Sequence, residues 1–544
     1  MKKFKLISLI VAVFSFQIVK ATTYYVSPSG VSTNTGTSIN SPWAFQYAAD
    51  RTNAGDIVYL LSGNYIINSD LKISRSGNST NYITYAAATG NTPVIKAANP
   101  CNAWNILRIL ANYIVVDGID FFGNNANITL SQGETNYNEV IAGGSNWSKY
   151  VQTNTNGICI GNDNTLVPHH VMIKNCKVHD FSGAGIASNN TDFITIENNI
   201  VYNNAWYGMY ASSGISIFHS QNSSNSYSGF ANTVRNNIVY NNKALVKWTA
   251  KKAYSDGNGI IIDDNKNTQI SGGIPYKGST LIENNVSYQN GGSGVYVMSS
   301  QHVTVRNNTS YWNSTETAKG SGNGELVCLD NNDITWVNNI AWVNPTYSST
   351  DVHAIDDDGA WGTGNTNITW KNNLTYTGTA GQTGVRIAKT TTTSIDISNK
   401  LGVNPLFINP ITNFKLQAGS PSINAGTSTY GASLTDLAGA NRIQGNSIDM
   451  GAYEYQGITT TISTTPGNNL FTIYPNPADE FVMIENIEMD SKIELYDVLG
   501  QKIFHQIVND HTIKIDISEF KKGIYFFKIM MEGNSVRIGK FIKE

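Results

Sequence analysis

The runs FITIENN, STLIENN, HVTVRNN, DITWVNN and NITWKNN each alternate apolar with polar positions, and each ends in an asparagine pair. A period of two carried by Ile, Val and Thr specifies a strand that buries one face. A second short run follows each pair at once (IVY, VSY, IAW), and the phrase NNIVYNN occurs identically at Asn198 and Asn236. The pairs at Asn198, Asn236, Asn284, Asn307, Asn338 and Asn372 step by 38, 48, 23, 31 and 34 residues, with KNCKVHD at Lys174 one step of 23 earlier. Asparagine tolerates left-handed backbone geometry, and its amide can bond neighbouring backbone groups, so each pair reads as a bend between two strands. A unit near 23 residues, lengthened by inserted loops, is that of a solenoid; propeller blades need about 40. The pattern therefore predicts an all-β parallel β-helix in which equivalent asparagines stack along one corner.

Aligning the rungs on a strand-leading glycine sets GIASNN (Gly185), GISIFHSQ (Gly214), GIIIDDNK (Gly259), GVYVMSS (Gly294) and GELVCLDN (Gly324) side by side. Ile260 and Ile262 then point inward, while Ile261 and Asp263 point outward and Asp264 takes the following bend. Strands stacked about 4.8 Å apart place Phe218 and His219 one rung below Asp263 and Asp264, and Tyr296 with Met298 one rung above. Glu325 falls on an inward slot, which calls for a partner to a buried carboxylate or for a different register in that rung.

Charge divides the chain. The last 79 residues, from Pro466, carry 21 of the 75 charged residues, leaving 54 for the 465 before them. The shift, preceded by the Thr/Ser/Gly-rich GITTTISTTPGNN, marks a boundary: residues 1–21, basic and then apolar, read as a secretory signal peptide; 22–456 form the β-helix; 457–469 are a linker; 470–544 are a small β-sandwich with Asn-Pro, Leu-Gly and Lys-Gly turns. No later stretch suits a transmembrane span. A net charge of −3 argues for neither nucleic-acid nor membrane binding. The four cysteines are too few for a disulfide scaffold; Cys159 and Cys176 either pair or stay as buried thiols.

The mature start, TYYVSPSGVSTNTGTSINSPWAFQYAADRTNAGDIVYLLSGNY, resembles the N-terminal cap and first coil of right-handed β-helix polysaccharide lyases of the pectate lyase family 9 and chondroitinase B type. NPLFINPITNFKLQAGSPSINAGT and DMGAYEY resemble the closing coil of the same secreted proteins, so the likeness spans Thr22 to Tyr455. LFTIYPNPADEFVMIEN, IELYDVLGQKI and DISEFKKGIYFFKI resemble the sorting domain of type IX secretion substrates, which implies the type IX machinery as a partner and a secreted or surface-attached product. A capped solenoid has no need of a second copy, so a monomer is expected.

The chemistry concentrates in KWTAKKAYSDGNGIIIDDNKN, which sets Lys251, Lys252, Asp256, Asp263, Asp264 and Lys266 in a domain otherwise poor in charge. Adjacent carboxylates suit a hard cation such as Ca²⁺. The resemblance to family 9 pectate lyases implies the same: an Asp-Gly step (Asp256) and an acidic pair (Asp263, Asp264) holding calcium, with a lysine removing the proton next to a uronate carboxylate. Lys251, Lys252, Lys266 or His219 is the candidate base. Phe218, Tyr296, Trp206 and Tyr207 are candidate sugar contacts. The second acidic cluster, HAIDDDGAW, reads as a solvated turn. These features point to a polysaccharide lyase acting on an acidic, uronate-containing glycan. The alternatives are an inverting glycoside hydrolase using Asp256 with Asp263 or Asp264 and a non-catalytic glycan-binding surface protein.

Overall fold

The computed structural model describes residues 21–162, 165–316, 323–346, 352–358, 364–388, 393, 395–456, 472–530 and 536–544. The signal segment and the Thr/Ser/Gly linker lie outside the described residues. The chain divides into two compact units, up to Tyr455 and from Gln456 onward.

Alternation along each strand builds the first unit. Among the described residues, three parallel sheets of eleven, ten and ten strands run side by side, and successive rungs contribute one strand to each. In the sheet that carries the site, Ile158, Ile186, Ile215, Ile260, Val295, Leu326 and Ile355 pair in one register and are all fully buried. Fully burying such a side chain contributes about 1.5–3 kcal/mol, and each rung repeats the gain.

The asparagine pairs divide their labour. The first member takes the left-handed bend (φ 57° at Asn198, 56° at Asn236 and Asn284). The second is buried, and its amide links rungs: the backbone N–H and Nδ2 of Asn285 both donate to Oδ1 of Asn308, at 2.9 Å each. Asn308 repeats the motif onto Asn339, and Asn339 onto Asn373. A second ladder runs Asn204, Asn242, Asn290, Asn313. It explains the strand-leading glycines, because a Cβ on Gly214, Gly259 or Gly294 would sit 2.6–2.7 Å from a ladder Nδ2.

Glycine alignment fails at one rung. Val295 pairs with Leu326, so Glu325 stands one place before the inward slot that the alignment assigned to it. Its carboxylate ends the second ladder, accepting from Asn313 N–H at 2.9 Å, Asn313 Nδ2 at 2.6 Å and Ser310 Oγ at 2.7 Å. The next asparagine, Asn344, cannot serve because its Oδ1 already accepts from Thr346. Burial lifts the Glu325 carboxyl to about 7 against these bonds.

The segment resembling a closing coil runs back beside the rungs. The first asparagines of the last four pairs, freed from the ladder, pin it: Nδ2 of Asn284 donates to Thr435 O, Asn307 to Asp449 O, Asn338 to Thr427 O and Asn372 to Ala425 O, at 2.8–3.0 Å. All four cysteines are buried free thiols. The second unit consists of antiparallel sheets of three and four strands around its own core, including Val482, Ile493, Leu495 and Phe527.

Candidate active site

The outward column Cys159, Ala187, Ser216 and Ile261 starts with small side chains and continues into Tyr296 and Val327. Small residues at its lower end leave a cavity of about 970 Å³ over the sheet. Aromatic residues on inserted loops wall it, among them Trp104, Tyr210, Trp248 and Tyr254. Phe218, Asp263 and Met298 pair in register along the neighbouring column, as the strand alternation predicts.

Asp263 and Asp256 both line this cavity, and Lys251 joins them from the tip of a tight loop closed by the Trp248 N–H to Ala253 O bond. Asp256 sits in a left-handed bend (φ 65°), fixed by Ser255 Oγ at 2.6 Å and Asn258 Nδ2 at 3.2 Å. Gly257 after it (φ 70°) could not carry a side chain, since a Cβ would lie 2.6 Å from Ala244 N. Oδ1 of Asp263 is buried with no hydrogen-bond partner. Burial first, then the charges of Asp256 and Asp264, pushes the Asp263 carboxyl well above the usual carboxylate range. Tyr296 beside it is raised by burial first, then by the charges of Asp256, Asp263, Asp356 and Asp358, so its hydroxyl keeps its proton.

Asp264 does not share this site. It is fully buried at the bend, and its oxygens accept from Thr268 N and Oγ1 (2.8 and 2.7 Å) and Gln269 N (2.8 Å), with His219 Nε2 at 3.0 Å. Burial opposes the charge, but these bonds hold its carboxyl below the ordinary value. The expected calcium set is therefore not assembled. Asp264 has its oxygens committed inside the fold, and no group of three or more Asp, Glu, His or Cys side chains among the described residues is arranged to hold a metal.

The other candidates scatter. Lys266 donates to Asp330 O at 2.7 Å and lies 3.5 Å from its carboxylate, at the cavity edge. His219 is stacked on Phe218 with ring centroids 3.4 Å apart and is engaged with Asp264. Lys252 is exposed, and neither it nor Trp206 nor Tyr207 is among the cavity-lining residues; Trp206 donates to Asn241 O, and Tyr207 is buried. Phe218 and Tyr296 do line the cavity. In the sequence, Asp358 belongs to the acidic cluster read as a solvated turn, and Trp104, Trp248 and Tyr254 are not singled out. Trp248 and Tyr254 flank the two lysines of the charged stretch and could have been, whereas Trp104 arrives from a rung some 150 residues earlier.

HAIDDDGAW is not a solvated turn as far as Asp358; Val352–Asp358 is a strand with all three acids buried. Arg386 bonds Asp356 through two nitrogens at 2.7 Å and Asp358 at 2.9 Å, while Asp357 accepts from Trp370 Nε1 and Asn365 Nδ2.

Residues 24–324, which include most of the cavity lining, match the family described as Pel9A-like, right handed beta helix region. The chain belongs to the Pel9A-like right-handed β-helix family. Residues 472–544 match the secretion system C-terminal sorting domain, so the product is a type IX secretion substrate, secreted or held at the cell surface. No helix among the described residues is long and apolar enough to cross a membrane. The Pel9A-like chain is 33% identical over 87 residues to pectate lyase L of Dickeya chrysanthemi, covering 15% of this chain and 20% of that protein. It is 38% identical over 68 residues to beta-agarase A of Zobellia galactanivorans, 12% of each. The chain thus spans a fifth or less of the length of these relatives. Pectate lyase Pel9A is similar in structure at 15% identity, covering 81% of this chain and 98% of that one with a TM-score of 0.44.

Proposed function

We propose that the protein is a polysaccharide lyase that cleaves a uronate-containing glycan by β-elimination in the cavity lined by Lys251, Asp256 and Asp263. The observation that carries this reading is the orphaned, buried Oδ1 of Asp263, in a cavity that also presents a lysine. The proton on C5 of a uronate is weakly acidic until the adjacent carboxylate is neutralised. A carboxylic acid kept protonated by burial can donate a hydrogen bond to that carboxylate, and Asp263 has this environment. Lys251, as the neutral amine, removes the C5 proton. The C5–H bonding pair becomes the C4–C5 double bond, and the C4–O4 bond breaks with its electrons on the leaving oxygen, which takes a proton from water. The aromatic walls supply apolar faces for the sugar rings.

A second reading rests on Asp256 beside the raised Asp263. One protonated acid and one carboxylate are also the pair that an inverting glycoside hydrolase needs.

Incubating the mature chain with acidic polysaccharides, with calcium and with chelator, separates the two. Ultraviolet absorbance of an unsaturated uronate supports elimination; new reducing ends without it support hydrolysis and overturn the lyase reading.

A further inference from the structure

Outside the cavity, the sequence PHHVMIK opens a strand of the eleven-stranded sheet, His169–Lys174. Adjacent residues of a strand point to opposite faces, but His170 takes a left-handed conformation (φ 56°) and the two imidazoles meet, with Nδ1 of His169 2.8 Å from Nδ1 of His170. Two N–H groups cannot face each other at that distance, so at least one bare nitrogen lies between the rings. Aromatic contacts hold the pair in place. The His170 ring is stacked between Tyr113 (centroids 4.7 Å apart) and Phe193 (4.4 Å), and the His169 ring stands perpendicular to Tyr113. The His169 N–H donates to Asn112 Oδ1 at 3.1 Å. Both histidines are half-buried, and neither lines the cavity.

Paired imidazole nitrogens are ligands for late transition metals, and their separation selects among those metals. Metal–nitrogen bonds of about 2.0–2.1 Å that close a gap of 2.8 Å meet at about 85–90°, whereas the tetrahedral angle of zinc needs a gap of about 3.3–3.4 Å. An angle near 90° belongs to a tetragonal site, the geometry of Cu²⁺ and Ni²⁺, and Cu²⁺ binds such ligands most tightly of the series. Asp192 pairs in register with His169 and is buried. It accepts from Phe193 N, Ser223 N and Oγ, and the hydroxyls of Tyr227 and Tyr276. With its oxygens committed, it supplies negative charge near a cation rather than a ligand. We propose that His169 and His170 form a two-imidazole chelate for one Cu²⁺, with water in the remaining positions.

The test titrates Cu²⁺, Ni²⁺ and Zn²⁺ salts into the untagged mature chain by calorimetry and records the electron paramagnetic resonance spectrum of the Cu²⁺ form. His169→Gln leaves the Tyr113–His170–Phe193 stack in place, and His170→Asn puts a residue that tolerates left-handed backbone at the bend; circular dichroism checks that each folds. The expected result is one saturable Cu²⁺ per chain, held more tightly than Ni²⁺ or Zn²⁺, with two imidazole nitrogens in the spectrum. Each substitution should weaken binding by about ten-fold or more, and His169→Gln should remove one nitrogen from the spectrum. No saturable binding, binding unchanged in either folded variant, or Zn²⁺ held as tightly as Cu²⁺ would overturn the inference.

Discussion

Two sets of buried polar groups distinguish the bends of the β-helix from its open face. At the bends every ladder asparagine is saturated: Asn308 accepts two bonds from Asn285 and donates to Ile282 O, Arg306 O and Asn339 Oδ1. On the open face Asp263 keeps one buried oxygen without a partner and sits close to two other acids. A saturated buried network rigidifies a fold, whereas an unsatisfied buried group costs stability that something else must justify. Perturbing the ladder should therefore damage folding, and relieving the open face should damage only chemistry.

The largest expected effect is on the ladder. Asn308→Ala orphans the Asn285 N–H and one Nδ2 hydrogen of Asn285, whose other bond to Val234 O remains, and removes the donor to Ile282 O; at about 1–3 kcal/mol for each orphaned group, the first unit should lose on the order of 3 kcal/mol in denaturant unfolding. A loss below about 1 kcal/mol would mean that the ladder is incidental to stability. Gly259→Ala attacks the second ladder by volume. Its Cβ would meet Ser287 Oγ at 2.0 Å and Asn290 Nδ2 at 2.7 Å, so overpacking should cost about 1–3 kcal/mol and lower the melting temperature.

His179 sharpens the comparison, because it is charged, buried and yet saturated. Burial opposes its protonation, but Asp120 at 2.9 Å and Asp180 at 2.6 Å outweigh it and lift the imidazole to about 9. Its ring stacks on Tyr202 at 4.6 Å and 3°. A raised folded value stabilises the protein fully below the ordinary 6.5 and loses that contribution as pH climbs through about 9. His179→Gln should thus destabilise by about 1–2 kcal/mol at pH 6 and by little above pH 10. A difference independent of pH would contradict the ion-pair account.

The smallest effect on stability, and of opposite sign, belongs to Asp263→Asn. Since the folded carboxyl lies above its unfolded value, the wild type binds more protons folded than unfolded, and its stability falls as pH rises beyond the ordinary carboxylate range. The amide removes that fall and should stabilise by about 1 kcal/mol at neutral pH.

Most of the fold was legible because strand alternation and asparagine bends are local signals. The pairing of Phe218, Asp263 and Met298 follows from them directly. The glycine rule failed at Gly324 because Glu325 takes over an asparagine's place, a substitution visible only once Asn344 is seen bonding Thr346. The site was legible as a stretch and not as a set. Asp263 and Asp264 are neighbours in sequence, yet a left-handed residue at Asp264 (φ 44°) turns one carboxylate into the cavity and the other into a net of backbone donors. Trp104 joins from a distant rung, and only loop geometry brings it there.

The most direct test measures unsaturated-uronate formation by wild type, Asp263→Asn and Asp263→Ala across pH. If a protonated Asp263 neutralises the substrate carboxylate, the asparagine amide can still donate. Asp263→Asn should then keep a measurable share of the rate and lose the alkaline decline, while Asp263→Ala falls by about 100-fold or more. An asparagine variant as inactive as alanine, or an alanine variant as active as wild type, would contradict the role given to Asp263.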